Sequence, residues 1–556
     1  MKLDDNLYQA FLSELETLEK FRITYSGMHP LANIDRDDQD VQRMVEAFAV
    51  FSARSRLAGE RSVNRQTLRM FLQHFPYLLS PVPAMTMLKA TPTMRFVDAT
   101  DLPSNTEATL AVPKPPQPGA PISYETFSFR TLYPIRILPI ELKQVRLESR
   151  RQEGYRLSME FSSSFPRNDD VRELNLLVNH LNDFMSSLLV YSELQNTLVG
   201  ATIQFDERSE NPDPGSCRVS FGPPSNNVLQ KPEFELNAVE RVRMAFHYPH
   251  QELFLRVSVP KTPRNWKGFT IRFDLSRQWP TDLKLTKETF QLSATPLINI
   301  KKQMANPIVC DGTKERYAVK SPNFSDGYRL HSILGVYQNS DEGMTPIFSE
   351  AISASGDSYF AEIDGENETR RAFLHLDMQR ALLEPVTVAV EARWVQPAVG
   401  HGNILESSIT LPDRFIEGVE WKRVGTIEPC RESPLNDKIE SLLHIVALKS
   451  QRFLNHDDMI FLLSALGADQ HRMFRRILGT IESTKIEQVP YARQSNGTKQ
   501  VYQISLKGLE ANLLPAAHLF FAKVLELLQA WSIEEVVEVL VDIPNLERRL
   551  TFSRVS

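Results

Sequence analysis

Cysteine is scarce in this 556-residue chain: Cys217, Cys310 and Cys430 are the whole set, and they lie far apart. An odd, scattered count argues against a disulfide framework and against a cysteine zinc site, and it suits a reducing compartment. Long apolar runs are missing too, since no stretch approaches the about 20 apolar residues of a membrane-spanning helix. The first twenty residues, MKLDDNLYQAFLSELETLEK, carry acids early and hold no unbroken apolar segment, so they do not read as a signal peptide. Positive charge is not in excess. Lys and Arg total 63 against 69 Asp and Glu, a net charge of -6, which argues against general nucleic-acid binding. The run RLESRR at 146–151 reads as a solvated face. A soluble chain in the cytoplasm is the expectation.

Motifs that carry chemistry are also lacking. There is no GxSxG, GxxxxGK(S/T) or HExxH, no paired-carboxylate context, and no cysteine in a nucleophile setting. Three partial patterns have blander readings. Asp35, Asp37, Gln39 and Glu46 fall at calcium-loop positions, but the glycine such a loop needs at its sixth position is Asp40. An acidic N-cap before a helix explains the run better. His247 and His250 could share a metal on a helix, yet Pro249 between them prevents one, and no third ligand follows. Gly400-His401-Gly402 lacks the rest of a dinucleotide fingerprint and reads as a surface turn. No metal, cofactor or catalytic residue is assigned.

What is present is a sequence of distinct patterns. Leu7, Phe11, Leu15, Leu18, Phe21 and Tyr25 recur at spacings of three and four and predict a first helix. A second carries Val41, Met44, Val45, Phe48 and Phe51 on one face, and a third carries Leu68, Phe71, Leu72 and Phe75 before Pro76 stops it. Three such helices bury little alone and want a covering partner or domain. The Phe48/Phe51 and Phe71/Phe75 stripes read as core first, with an intersubunit helical face of Phe51, Phe71 and Phe75 as the other reading. The stretch 112–121, VPKPPQPGAP, is a stiff loop. Strand-like alternation begins at Phe127 and includes Tyr155 to Phe161, Leu253 to Val259 and Val386 to Ala392. One helix, from Leu174 to Tyr191, interrupts it. The last 125 residues or so return to helix at Leu442–Leu448, Ile460–Leu466, Met473–Ile477 and Leu513–Trp531. A hairpin there turns at Asn496-Gly497, a winged-helix-like hint. The expected class is α+β multidomain: an N-terminal helical region 1–90, a β-rich region with one inserted helix at 91–300, a second β-rich domain at 301–430, and a mixed helix-hairpin domain at 431–556. The β-rich regions are expected to be sandwich or barrel-like.

One series of motifs is more specific. Phe246-His-Tyr-Pro249 leads to Phe254; then come Thr295-Pro296-Leu297-Ile298-Asn299, Pro307, Tyr317-Ala-Val319 and Val336-Tyr337. Upstream lie His29-Pro30, Asp40-Val41-x-Arg43-x-Val45-x-x-Phe48-Ala49 and Phe75-Pro76-x-Leu78-x-x-Pro81-Val82-Pro83-x-Met85. In order and spacing this series resembles the TssF family, the baseplate wedge subunit of bacterial type VI secretion, over residues 8–90, 125–150 and 245–340, and more weakly over 435–545. Two departures are the proline-rich stretch 113–121 and a chain that stops at Ser556 without the family's Trp-Pro tail. The resemblance implies a structural protein and not an enzyme. It implies two copies joined to one TssG, a ring of wedges around the VgrG spike, and links through TssK to the membrane complex and through TssE to the contractile sheath. It places the chain in the bacterial cytoplasm, at a baseplate docked on the inner membrane, with no cofactor, no nucleic acid and no membrane insertion. A wedge protein of a contractile phage tail or related injection particle, or a β-rich hydrolase, are the other classes to separate from it. Within the resemblance, Thr295, Pro296 and Asn299 read first as fold maintenance: a buried strand after a proline kink, with Asn299 bonding backbone at its end.

Overall fold

A computed structural model describes residues 5–28, 38–113, 124–149, 154–206, 214–224, 236–323, 327–340, 343–350, 352, 356–364, 371–378, 381, 384–399, 407–436, 438–490, 498–532 and 536–553. His29-Pro30, Asp35, Asp37, most of the 113–121 stretch, Gly400-His401-Gly402 and Asn496-Gly497 lie outside the described residues. The chain divides into two compact units, one of residues 1–76 with 437–447 and one of residues 77–436 with 448–556. The α+β class holds: the described residues contain the helices α1 (Asp5–Met28), α2 (Gln39–His74), α3 (Phe184–Thr197), α4 (Ala238–His247), α5 (Ile439–Lys449), α6 (His456–Ala465), α7 (Arg472–Leu478) and α8 (Leu514–Trp531), and several mainly antiparallel sheets.

The second and third expected helices are one continuous 36-residue helix, α2. No proline or cap interrupts 52–67, and its Ala, Arg, Glu, Gln and Leu residues are good helix formers that carry the helix through. Its N-cap is Asp38, whose carboxylate accepts the Asp40 N–H at 2.9 Å. The helix expected from Leu174 to Tyr191 is instead a strand, Glu173–Val178, followed by α3. Apolar residues in ELNLLV satisfy either period, so covering by neighbours decides. Leu181 and Asn182 then adopt left-handed φ of 54° and 52°, breaking the chain, and Asp183 caps α3 by accepting the Ser186 N–H at 2.8 Å.

In the larger unit an eight-stranded sheet holds Tyr155–Arg167 beside Trp266–Leu275. Leu157, Met159 and Phe161 point inward as their alternation requires, and Phe161 stacks on its cross-strand partner Phe269 at 5.0 Å. Another sheet contains Val386–Val395, where Val386, Val388, Val390, Ala392 and Trp394 face one core. Each of the valines contributes roughly 1.5–3 kcal/mol by leaving water. The C-terminal hairpin, Ile481–Pro490 with Thr498–Leu506, forms as expected. It belongs to a four-stranded sheet that adds Val536–Ile543 and Arg548–Ser553. Thr498–Leu506 and Val536–Ile543 are parallel, so a crossover is required, and α8 supplies it. That sheet takes the place of a simple winged helix.

A six-stranded sheet crosses the contiguous segments expected from sequence. Its order is Ser408–Thr410, Glu107–Pro113, Tyr124–Thr131, Ala294–Ile298, Met85–Pro92 and Val419–Glu428. Strands from 1–90, 91–300 and 301–430 therefore share one sheet. Non-local antiparallel pairing leaves no trace in local pattern. Ala294–Ile298 is fully buried and inner, an unusual place for a proline. Register resolves this. Pro296 lies opposite Met87 on one side, whereas Tyr124–Thr131 pairs only with Leu297 and Ile298. The Pro296 carbonyl accepts the Leu132 N–H at 2.9 Å, so its missing N–H faces the side where that neighbour has ended. The Thr295 hydroxyl takes over, accepting the Tyr133 N–H at 3.3 Å and donating to the Tyr133 carbonyl at 2.9 Å.

Asn299 follows, buried, and its N–H donates to the Ala84 carbonyl at 2.9 Å. Its side-chain amide donates to the Ser128 carbonyl at 2.7 Å and to the Gln396 side-chain carbonyl at 3.2 Å, and its oxygen accepts the Gln396 N–H at 2.7 Å. Gln396 in turn accepts the Ser128 N–H at 2.9 Å. Asn299→Ala strands several of these buried groups, and leaving even one unmade costs about 1–3 kcal/mol. Urea denaturation should show a matching loss for Asn299→Ala and for Gln396→Leu; a loss under about 0.5 kcal/mol, the scale of ordinary surface changes, would mean the pair is dispensable.

Candidate functional site

Helix α4 begins with a capping box: Asn237 accepts the Glu240 N–H at 2.9 Å and the Glu240 carboxylate accepts the Asn237 N–H at 3.0 Å. It ends at His247, and Pro249 opens a 3-10 turn, Pro249–Glu252. Phe246 therefore sits on a helix and not on a strand. It is fully buried, with ring centroids 5.6 Å from both Phe474 of α7 and Phe520 of α8. Beyond the turn, Phe254 is buried at the head of Phe254–Ser258. Pro307, exposed, separates the strands Lys301–Met304 and Ile308–Cys310.

Arg243, one turn before Phe246, is also buried. Its guanidinium donates to the Tyr77 carbonyl at 2.9 Å and to the Ser80 carbonyl at 2.7 Å. Burial draws its pKa down to about 10, so it remains a cation at neutral pH. It holds the segment leading to Pro81-Val82-Pro83, where Val82 alone makes a bridge to Arg431 (2.7 and 2.9 Å). The flanking prolines have no N–H, so neither can extend the bridge into a ladder.

In the smaller unit, α1 and α2 are clamped by Glu14, which accepts from Ser52 at 2.8 Å and from Arg56 at 3.0 Å. Ala49 and Ala53, within a turn of those partners, are fully buried. Phe48 and Phe51 are left outside, 60% and 69% exposed, along with Met44. Phe71 and Phe75 are buried, with rings 5.6 Å apart. The four phenylalanines therefore do not form one face: two are interior and two face solvent. An exposed apolar patch on a helix is the mark of an interaction site, and composition could not show which side of α2 the neighbouring helix takes.

Burial holds the Cys217 thiol up at about 11 and the Cys430 thiol at about 12, which keeps both protonated and poorly nucleophilic. Among the described residues no group of three or more His, Cys, Asp or Glu is arranged to hold a metal ion. Helix α8 is long and apolar enough to cross a membrane by composition, but Phe520, Phe521, Val524, Leu527 and Leu528 are spent inside the fold.

Burial favours the neutral form of five histidines, His518 among them, and four are shifted far. Burial, then Arg431 and Arg243, lowers the pKa of His247 to about 3, and burial with Arg393 and Arg243 does the same for His331. Burial takes His250 to about 4 against the opposing pull of Asp183, and burial with Arg431 takes His471 to about 4. An unfolded histidine titrates near about 6.5, so below that pH the unfolded chain binds more protons than the folded one. Stability from these four is complete above pH about 6.5 and drains as pH falls toward 3–4. The melting temperature should fall steadily from pH 7 to pH 4, with a shallower fall in His247→Gln; parallel curves for the two proteins would show that His247 titrates normally.

A comparison with curated proteins finds no match. Among solved structures, a chain of the type VI secretion system TssK-TssF-TssG baseplate subcomplex, determined by cryo-electron microscopy, matches with a TM-score of 0.74 at 16% identity, covering 92% of this chain and 98% of that one. A chain of the baseplate complex from the type VI secretion system matches with a TM-score of 0.62 at 15% identity, covering 99% and 98%. At such identities the likeness is one of fold. Residues 8–371 match the family described as Type VI secretion system, TssF, and the chain belongs to that family.

Proposed function

We propose that this chain is a structural subunit of the type VI secretion baseplate wedge, joined to TssG through the exposed apolar side of its α1–α2 hairpin. Family membership and the likeness to a TssK-TssF-TssG subcomplex support the machine. The observation that carries the surface is the exposure of Phe48, Phe51 and Met44 on a helix whose small residues are already used against its neighbour. Two copies per TssG, contacts to TssK and TssE, and a ring of wedges around the VgrG spike belong to the same reading, as does a cytoplasmic site at the inner-membrane-docked baseplate. Its mechanism is mechanical: subunit interfaces hold one packing, and their switch to another passes the firing signal to the sheath. The two solved type VI baseplate chains favour this over a phage-tail wedge, and buried, protonated thiols favour it over a cysteine-dependent hydrolase.

Co-expression with tagged TssG tests the surface. Replacing Phe48 and Phe51 together by glutamate should cut the recovered complex at least tenfold, since removing one such anchor from an interface costs about 2 kcal/mol or more. Because both side chains already face solvent, circular dichroism should be unchanged. Undiminished recovery would move the TssG contact elsewhere on the chain, and failure of the unaltered chain to retain TssG would defeat the wedge assignment.

A further inference from the structure

His247 ends α4 and is only 4% exposed, yet neither ring nitrogen completes a hydrogen bond to a described residue. The Pro83 carbonyl pulls on the ring's proton without reaching bonding geometry. Such groups are rare in a protein interior, where nearly every buried polar atom finds a protein group or a water. His247 borders a small, mostly enclosed cavity of about 10 Å³ inside the larger unit. That is close to what one water needs, about 10–15 Å³, and far below the roughly 300–1,000 Å³ of a small-molecule site.

Four stretches of chain meet at this space: Val82 between its prolines, the end of α4 with Arg243, the segment from Arg431 to Pro434, and the turn at Leu466-Gly467 with Gln470. The walls are pinned by other bonds, which keeps them from closing on the ring. Val82 and Arg431 exchange backbone hydrogen bonds at 2.7 and 2.9 Å, and Arg243 is tied to the Tyr77 and Ser80 carbonyls. In the turn, the Gly467 N–H donates to the Ser464 carbonyl at 2.9 Å and the Gln470 N–H to the Gly467 carbonyl at 3.1 Å. Both signs of charge border the space, Arg243 and Arg431 against Glu432. Arg431 is already paired with Glu428, and Glu432 with Arg329 at 3.8 Å. An ion of either sign would therefore meet a like charge. A water suits both, since it accepts from a guanidinium and donates to a carboxylate or a ring nitrogen.

We propose that this cavity binds one internal water, which donates to a ring nitrogen of His247 and joins the end of α4 to the polar side chains of the 431–434 and 466–470 segments. A neutral imidazole has one N–H and one lone pair. In this arrangement the N–H turns to the Pro83 carbonyl and the lone pair receives the water's hydrogen. A bridging water bonds nearly as well as a direct contact, and it serves where Pro434 has no N–H to offer. The site uses no residue of the α1–α2 hairpin, so its failure would leave the wedge reading untouched.

Crystal structures of the full-length chain, at a resolution that shows ordered waters, test it. The expected result is a water peak in the cavity within about 2.7–3.2 Å of one His247 ring nitrogen. That peak should be lost in His247→Leu, whose smaller side chain cannot block the space. Crystals grown in bromide, read for its anomalous signal, separate a water from an anion; no signal is expected in the cavity. No peak beside His247, a bromide signal there, the Gln470 side chain folded into the space, or a water kept at the same position in His247→Leu would each overturn the proposal. Should His247→Leu fail to fold, the unaltered chain and its bromide crystals decide the matter alone.

Discussion

Two side-chain amides in the interior hold together parts of the chain that are far apart in sequence. Asn299 and Gln396 bond to each other and to the backbone at Ser128, while the N–H of Asn299 reaches Ala84. Gln396 directly follows Val386–Val395, a strand of one sheet, and Ser128 lies within another. An apolar pair could fill the same space, but it could not satisfy the backbone groups left where a strand ends and chains cross. Buried polar groups tolerate no partial arrangement, so this pair specifies register as well as adding stability. The proline two residues before Ile298 belongs to the same solution. It sits where the ladder on one side has run out, and Thr295 supplies the missing bonds.

Helix α4 plays the corresponding part elsewhere in the larger unit. Within one turn, Arg243 reaches the carbonyls of residues 77 and 80 and Phe246 enters the aromatic cluster with Phe474 and Phe520. The family-motif residues are thus mostly joints. Most of them tie sheets and helices to one another, whereas Phe48, also a motif residue, faces solvent beside Phe51 on α2.

Legibility followed the range of the physical signal. Alternation at Tyr155–Phe161 and Val386–Ala392 marked true strands, because the side-chain period of a half-covered strand is written in neighbouring residues. The hairpin at 481–506 and the helices α5 to α8 were legible for the same reason. Errors arose where both periods fit, as at Leu174–Val178, or where a polar stretch hid continuity, as in the middle of α2. The strands Val536–Ile543 and Arg548–Ser553 went unnoticed although Val537, Val539, Val541 and Ile543 alternate; attention to period two after the last helix would have found them.

By itself the sequence determined the family and the α+β class, because motif order and local periodicity survive without any knowledge of contacts. It also determined that Asn299 needs a backbone partner, since that follows from the covalent structure of one residue. Only the tertiary structure decided that three distant segments share a sheet, that Gln396 is the partner of Asn299, and that Phe71 is interior while Phe51 is not. Those outcomes depend on which surfaces meet, and burial is a property of pairs of elements that no single stretch of chain records.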